Sequence, residues 1–251
     1  MSHVRAESET SVFGSRQARN GALIGILYDL KQSQQRKSVP MDLKSYGSVV
    51  DEFLSKDWDE SVLNRYFRAV SPLYATQIFV PLISADSAPR AFGVDKIVKP
   101  SFWLIHYKGQ IAAPSDGDWR FWGDGEEVCS VAVNGSTVLL ANWHEITTPN
   151  VFWKSSEPPG MKVANSRMRA GDWMHLKAGQ VMDLDVLIGE RGGGVFCAFL
   201  LIEKRGGNYQ QVEGSPVLPV FQLAPFKTPV PASRKVGPPI LLDGPIWNAI
   251  N

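Results

Sequence analysis

Residues 103–135 read Trp-Leu-Ile-His-Tyr-Lys-Gly-Gln-Ile-Ala-Ala-Pro-Ser-Asp-Gly-Asp-Trp-Arg-Phe-Trp-Gly-Asp-Gly-Glu-Glu-Val-Cys-Ser-Val-Ala-Val-Asn-Gly, and this stretch decides the fold. It holds three strand-like runs closed by turn residues. Trp103 to Tyr107 is the first. Trp119 to Trp122 is the second, entered through Pro114-Ser115-Asp116-Gly117. Val128 to Val133 is the third and ends at Asn134-Gly135, a dipeptide that suits the two positive-φ positions of a tight hairpin turn. Side chains alternate across a strand, so Trp119 and Phe121 share one face and Arg120 and Trp122 the other.

Short strands continue on both sides. Thr137 to Trp143 is placed to pair back after Asn134-Gly135. Met174–Leu176, Val181–Ile188 and Val195–Glu203 follow, joined by Ala178-Gly179 and by Gly192-Gly193-Gly194. Met182, Leu184, Val186 and Ile188 alternate with Asp183, Asp185 and Leu187, as a strand with one buried face should. Upstream, Gly21 to Lys31 is almost continuously apolar and reads as a central strand. Gly25 within it marks a bulge or a close backbone approach. Ala75 to Ile83 is also β-type, and Pro81 sends it to a sheet edge because proline donates no ladder bond.

The period changes at 41–70. Leu43, Tyr46, Val49, Val50, Phe53 and Leu54 recur at helical spacing behind a capping Asp42, and a second short helix is expected over Glu60–Phe67 behind Asp59. Residues 144–170 form a long loop, a length that points to function or poor order. Residues 1–20 read as a polar arm with Phe13 as its one anchor. Residues 208–251 read as a proline-rich tail running extended over the surface, with Trp247 and Ile250 as anchors.

Of the 251 residues 44% are apolar, enough for a substantial core. The formal net charge of +1 argues against a nucleic-acid binder that works by neutralising phosphates. No apolar run approaches the roughly 20 residues of a membrane-spanning helix, and the first twenty residues contain no apolar signal core. The two cysteines, Cys129 and Cys197, lie in apolar runs and read as small buried side chains. A disulfide between them needs Cα atoms within about 7 Å.

In their order and spacing these runs resemble the PA14 domain, over about residues 21 to 206. Gly21-Ala22-Leu23-Ile24-Gly25-Ile26-Leu27-Tyr28-Asp29 looks like that family's first strand. Phe102-Trp103, Gly109-Gln110-Ile111, Pro114, Gly117 and Trp119-Arg120-Phe121 match its aromatic-strand hallmark. Val131-Ala132-Val133-Asn134-Gly135 and Leu176-Lys177-Ala178-Gly179-Gln180 match later ones. The resemblance implies an antiparallel β-sandwich over 21–207 with a helical insertion at about 41–70. It implies a non-catalytic binding or adhesion module for carbohydrate, outside the cell or at its surface. Calcium-dependent sugar-binding members carry paired aspartates where this chain has Gly123-Asp124-Gly125-Glu126-Glu127. A calcium ion would therefore fall on Asp124, Glu126 and Glu127. Glutamates move the carboxylates outward from a site whose oxygens must sit roughly 2.3–2.6 Å from the ion.

The candidate ligand site is the acidic and aromatic rim: Asp116, Asp118, Trp122, Asp124, Glu126, Glu127, Asn134, Trp143 and Trp153. Sugars stack their C–H faces on indoles and present hydroxyls to polar neighbours, and Trp122 or Trp143 is the expected surface ring. Ordinary turn residues and core packing are the alternatives for the same acids and aromatics. His106, His144 and His175 show no metal-ligand spacing, and His3 lies in the arm. No Gly-x-Ser-x-Gly elbow or P-loop is present, and no carboxylate pair stands out as hydrolytic. The other reading left open is a structural subunit that self-assembles through residues 1–20 and 208–251.

Overall fold

The protein is described by a computed structural model covering residues 10–225 and 230–250. Residues 1–9, 226–229 and 251 lie outside the described residues, and with them part of the expected arm and tail. Two antiparallel sheets face each other. The larger, ten-stranded sheet runs in the order Thr10–Ser11, Gly14–Ser15, Leu73–Ala75, Leu23–Ser33, Trp103–Ala112, Val181–Glu190, Val128–Val133, Ser136–Leu140. The five-stranded sheet runs Arg169–Ala170, Gly117–Gly125, Val195–Lys204, Phe79–Ser84, with Met174–Leu176 also on Gly117–Gly125. Phe79–Ser84, the strand holding Pro81, is an edge, as proline requires.

The stretch 103–135 crosses between the sheets twice. Trp103–Ala112 is in the large sheet, Gly117–Gly125 in the small one, and Val128–Val133 back in the large one. Asn134 (φ 50°) and Gly135 (φ 76°) then make the tight hairpin to Ser136–Leu140. The glycine corners at Gly179 and Gly192–Gly194 are likewise crossings from one sheet to the other.

Each sheet is buried on its inner face and partly covered on its outer one. In Leu23–Ser33, Leu23 and Leu27 point into the sandwich with Trp103, Ile105 and Ile188. Ile26, Tyr28 and Leu30 point out and meet a helix. That helix, α1 (Leu43–Ser55), is capped by Asp42, whose side chain accepts the Ser45 N–H at 2.7 Å, and it buries Tyr46, Val49, Val50, Phe53 and Leu54. Burial on both faces is why residues 21–31 are continuously apolar. At Gly25 the backbone approaches Tyr107 closely, without a bulge: a Cβ there would run into the ring. Tyr107 is itself pinned, its hydroxyl donating to the Phe13 carbonyl at 2.9 Å. Gly25→Ala is expected to cost about 1–3 kcal/mol by overpacking, read as a lower urea midpoint. An unchanged midpoint would mean that the ring moves freely.

Three expectations are corrected. The second helix, α2, is a single turn, Glu60–Leu63, and Tyr66–Arg68 is a strand pairing with Leu23–Ser33. Phe67 is buried in the sandwich core, so tertiary pairing overrides the local helical spacing. The arm is not wholly solvated: Thr10–Ser11 and Gly14–Ser15 form a hairpin on the large sheet, and Phe13, 2% exposed, packs against Trp103 and Phe196. The tail does not simply run over the surface. Leu218 and Val220 cover the outer face of the small sheet, Phe221, Leu223 and Trp247 enter the sandwich core, and Asn248–Ile250 pairs with Trp103–Ala112. Ile250, the other expected anchor, is 39% exposed. Cys129 and Cys197 are both buried and unbonded to each other. Among the described residues no helix is long and apolar enough to cross a membrane.

Candidate functional site

Gly117–Gly125 separates the expected rim site into two. Nine strand residues span roughly 26–30 Å. At the strand's start, Asp116 accepts the Ala178 N–H at 2.7 Å, and Asp118 meets His175 at 2.8 Å and Arg205 at 2.9 Å. These contacts hold both carboxyls below the usual carboxylate range, first through the Ala178 N–H and His175 respectively. Asn134 lies toward this end, its side-chain oxygen accepting the Asp183 N–H at 2.9 Å. All three serve turns and strand ends.

Trp122 is not a surface ring. It is 5% exposed, donates Nε1–H to Glu203 at 2.6 Å, and packs with Met161, Met168 and Leu201 under the covering segments. The even positions of its strand face the layer that residues 155–170 and 209–223 lay over the small sheet. The sequence gives no periodic sign of that layer.

At the other end of the strand, Asp124, Glu126 and Glu127 turn to different partners. Ser166 Oγ donates to Asp124 Oδ1, Asn165 Nδ2 donates to Glu126 Oε1 at 2.7 Å, and Glu127 Oε2 lies 3.1 Å from Arg191 Nε. Glu190 accepts the N–H groups of Gly192 and Gly193. One oxygen of each of these four carboxyls is buried without a hydrogen-bond partner. Burial pushes Asp124, Glu127 and Glu190 up to about 7, and raises Glu126 as well. Among the described residues no three His, Cys, Asp or Glu side chains converge as a metal would require. Asp124, Glu126 and Glu127 do not converge on one point as the acidic ligands of a calcium ion do.

Trp143 and Trp153 do come together. They line one open cleft of about 290 Å³ with Asn142, His144, Lys154 and Arg169. Trp143 is placed by its N–H, which donates to the Glu127 carbonyl at 2.8 Å. Trp153 donates Nε1–H to Asp172 at 2.7 Å. Asn142 is fixed by its side-chain oxygen, which accepts from the Cys129 N–H and the Ser130 hydroxyl, each at 2.9 Å. Its Nδ2 is buried, with two donor hydrogens and no acceptor among the described residues. Both indoles are half-buried, and neighbouring Phe152 is fully exposed. No Asp or Glu lines the cleft. Asn142, Lys154 and Arg169 carry no sequence signal: Lys154 and Arg169 fall in the long loop, and Asn142 is an unremarked residue at a strand end.

His106 is a structural residue. It is 2% exposed, 2.8 Å from Asp185 and 3.5 Å from Glu60, and it ties α2 to the large sheet. Burial opposes its protonation, but the two carboxylates outweigh that and raise its pKa above the ordinary value.

No family model and no curated protein matches the chain. Similar solved structures include a PA14 sugar-binding domain from an RTX adhesin, with 11% identity over 82% of this chain and 97% of that one, at a TM-score of 0.47. The A domain of Epithelial Adhesin 6 from Candida glabrata, in complex with Galb1-3GlcNAc, overlays at 0.46 with 11% identity, over 76% of this chain and 83% of that one. The PA14 domain of the antifreeze protein MpAFP overlays at 0.43 with 11% identity, over 80% of this chain and 89% of that one. The architecture of this chain is an antiparallel β-sandwich, two facing sheets with small helices attached.

Proposed function

We propose that the protein is a non-catalytic saccharide-binding module, acting as an adhesion domain outside the cell or at its surface, with its site in the Trp143–Trp153 cleft. The observation that supports this most directly is the convergence of two half-buried indoles on one cleft beside the unpartnered amide of Asn142. Indole faces cover the apolar C–H side of a pyranose, and the exposed polar side chains of His144 and Lys154 at the mouth meet its hydroxyls. Hydrolysis of a glycosidic bond uses two carboxyls astride it, and the lining of this cleft offers none. Carboxylates nearest the cleft are committed elsewhere: Glu127 to Arg191, and Asp172 to the Trp153 indole.

Glycan-array screening followed by titration of the best binder, read by tryptophan fluorescence, tests this. Trp143→Ala and Trp153→Ala are each expected to weaken binding at least tenfold, about 1.4 kcal/mol or more, with little change in the melting temperature for Trp143. Binding unchanged by a chelator is expected from the absence of a converging acidic set. A ligand that binds both variants as tightly as the parent protein rules the cleft out.

A further inference from the structure

The geometry points to a negatively charged saccharide, one bearing a carboxylate or sulfate group, as the occupant of this cleft. The inference rests on the saccharide reading above and deepens it. The charged and titratable side chains lining the cleft are Lys154, Arg169 and His144, with no acidic residue among the lining. Arg169 is the distinctive one. It is half-buried on the edge strand Arg169–Ala170, opposite Gly123, so its position is set by sheet pairing and not by a mobile loop. Among the described residues its guanidinium makes no hydrogen bond and no ion pair.

The protein treats its other enclosed guanidinium groups differently. Arg120 is held by Glu203 at 2.6 Å and Glu157 at 3.0 Å. Arg191 is held by Glu127 at 3.1 Å and Glu145 at 2.8 Å. An enclosed cation without a partner is costly, and binding an anion relieves that cost. Asp124 feels the charge of Arg169, but it accepts from Ser166 and is fully buried. Its carboxyl, raised to about 7 by burial, offers Arg169 only part of a counter-charge near neutral pH.

A guanidinium presents parallel N–H donors that match the two oxygens of a carboxylate or sulfate. Lys154, exposed at the same mouth, adds a second positive charge. The anion would sit at Arg169, with the pyranose reaching over the indoles. A carboxylate and a sulfate share this chemistry, so the test separates them.

Isothermal titration of the full chain at low salt would compare three oligosaccharides: a uronic-acid oligomer, a sulfated oligomer, and an uncharged oligomer of matched length. At least one anionic oligomer is expected to bind tenfold or more tighter than the uncharged one. Arg169→Gln is expected to weaken the anionic oligomer at least tenfold more than the uncharged one, which erases that margin. Lys154→Gln, an exposed change that leaves the core untouched, is expected to narrow it. The margin should also shrink as salt rises. Whichever anionic oligomer carries the margin identifies the group recognised. Equal affinities for all three, with Arg169→Gln and Lys154→Gln silent, overturn the inference and leave the saccharide reading standing. No binding of any of the three, together with an array on which Trp143→Ala and the parent protein behave alike, overturns both.

Discussion

Trp247→Ala should destabilise the protein by about 3–5 kcal/mol, a large share of the 5–15 kcal/mol that holds an ordinary domain together. The indole is fully buried, in edge contact with Trp119 at 5.4 Å between ring centroids and tilted against Phe221 at 5.6 Å. Its backbone N–H donates to the Gln222 carbonyl at 2.9 Å, and the next three residues extend the large sheet along Trp103–Ala112. Removing it opens a ring-sized void in the sandwich core, against Trp119 and Phe221. Cutting the chain after residue 207 should have a still larger effect, because it also strips Leu218, Val220, Phe221 and Leu223 from the core. Urea unfolding with a fixed slope measures the first. For the second, loss of a sharp melting transition is the expected sign. A shortened chain that melts as cooperatively as the parent would show that residues 208–251 are an appendage after all, free for subunit contacts.

The second large effect concerns pH. Burial raises the Asp124 carboxyl from its ordinary 3.8 to about 7, the hydrogen bond from Ser166 only partly opposing this. A carboxyl whose folded pKa lies above its unfolded pKa binds its proton more tightly in the folded state. Its contribution is therefore fully present below about pH 4 and is lost as pH rises towards 7. Three pKa units at ~1.4 kcal/mol each set an upper bound of roughly 4 kcal/mol for this one group. Glu127 and Glu190 are raised to about 7 for the same reason and act in the same direction. Glu60 works oppositely: hydrogen bonding to His106 lowers its carboxyl to about 2, so its contribution disappears in strong acid. Stability should thus peak in mildly acidic solution, near pH 4–5, and fall on the way to pH 8. Asp124→Asn keeps an oxygen for the Ser166 hydroxyl and removes the ionisable group. It should raise the melting temperature at pH 8, change it little at pH 4, and flatten the slope between. A variant whose profile runs parallel to that of the parent protein would falsify the assignment of that slope to Asp124.

Much of the architecture was legible because short-range chemistry specifies it. Asn134-Gly135 closes a hairpin since both positions hold positive φ, and Asp42 starts α1 since its side chain reaches the Ser45 N–H. Pro81 lies on an edge because it lacks a donor. Strand identity followed from alternation where one face is wet, as in Val181–Glu190. Other features could not be read from local pattern. In Val195–Lys204, Phe196, Ala198, Leu200 and Ile202 face the sandwich while Cys197, Phe199 and Leu201 face a cover that arrives from residues 161–168 and 218–220. Two buried faces erase the alternation, and nothing within the strand says what lies over it. The same cover buries Trp122, expected at the surface, and tail residues whose prolines suggested an excursion through solvent.

The expected rim site divides along the same line. The acids and aromatics were found from composition and turn chemistry, as a single group in sequence. Only the folded chain separates Asp116, Asp118 and Asn134 from Asp124, Glu126, Glu127, Trp143 and Trp153, because the strand between the two groups runs the height of the sandwich. Only the fold brings Asn142 and Arg169 to the two indoles, since their meeting depends on pairing between chain segments far apart in sequence. Local sequence determined the strands, corners and caps of this protein, because those depend on backbone preferences within a few residues. Tertiary structure decided which faces are covered and which side chains meet in the cleft, because those depend on contacts across a hundred residues that no local period encodes.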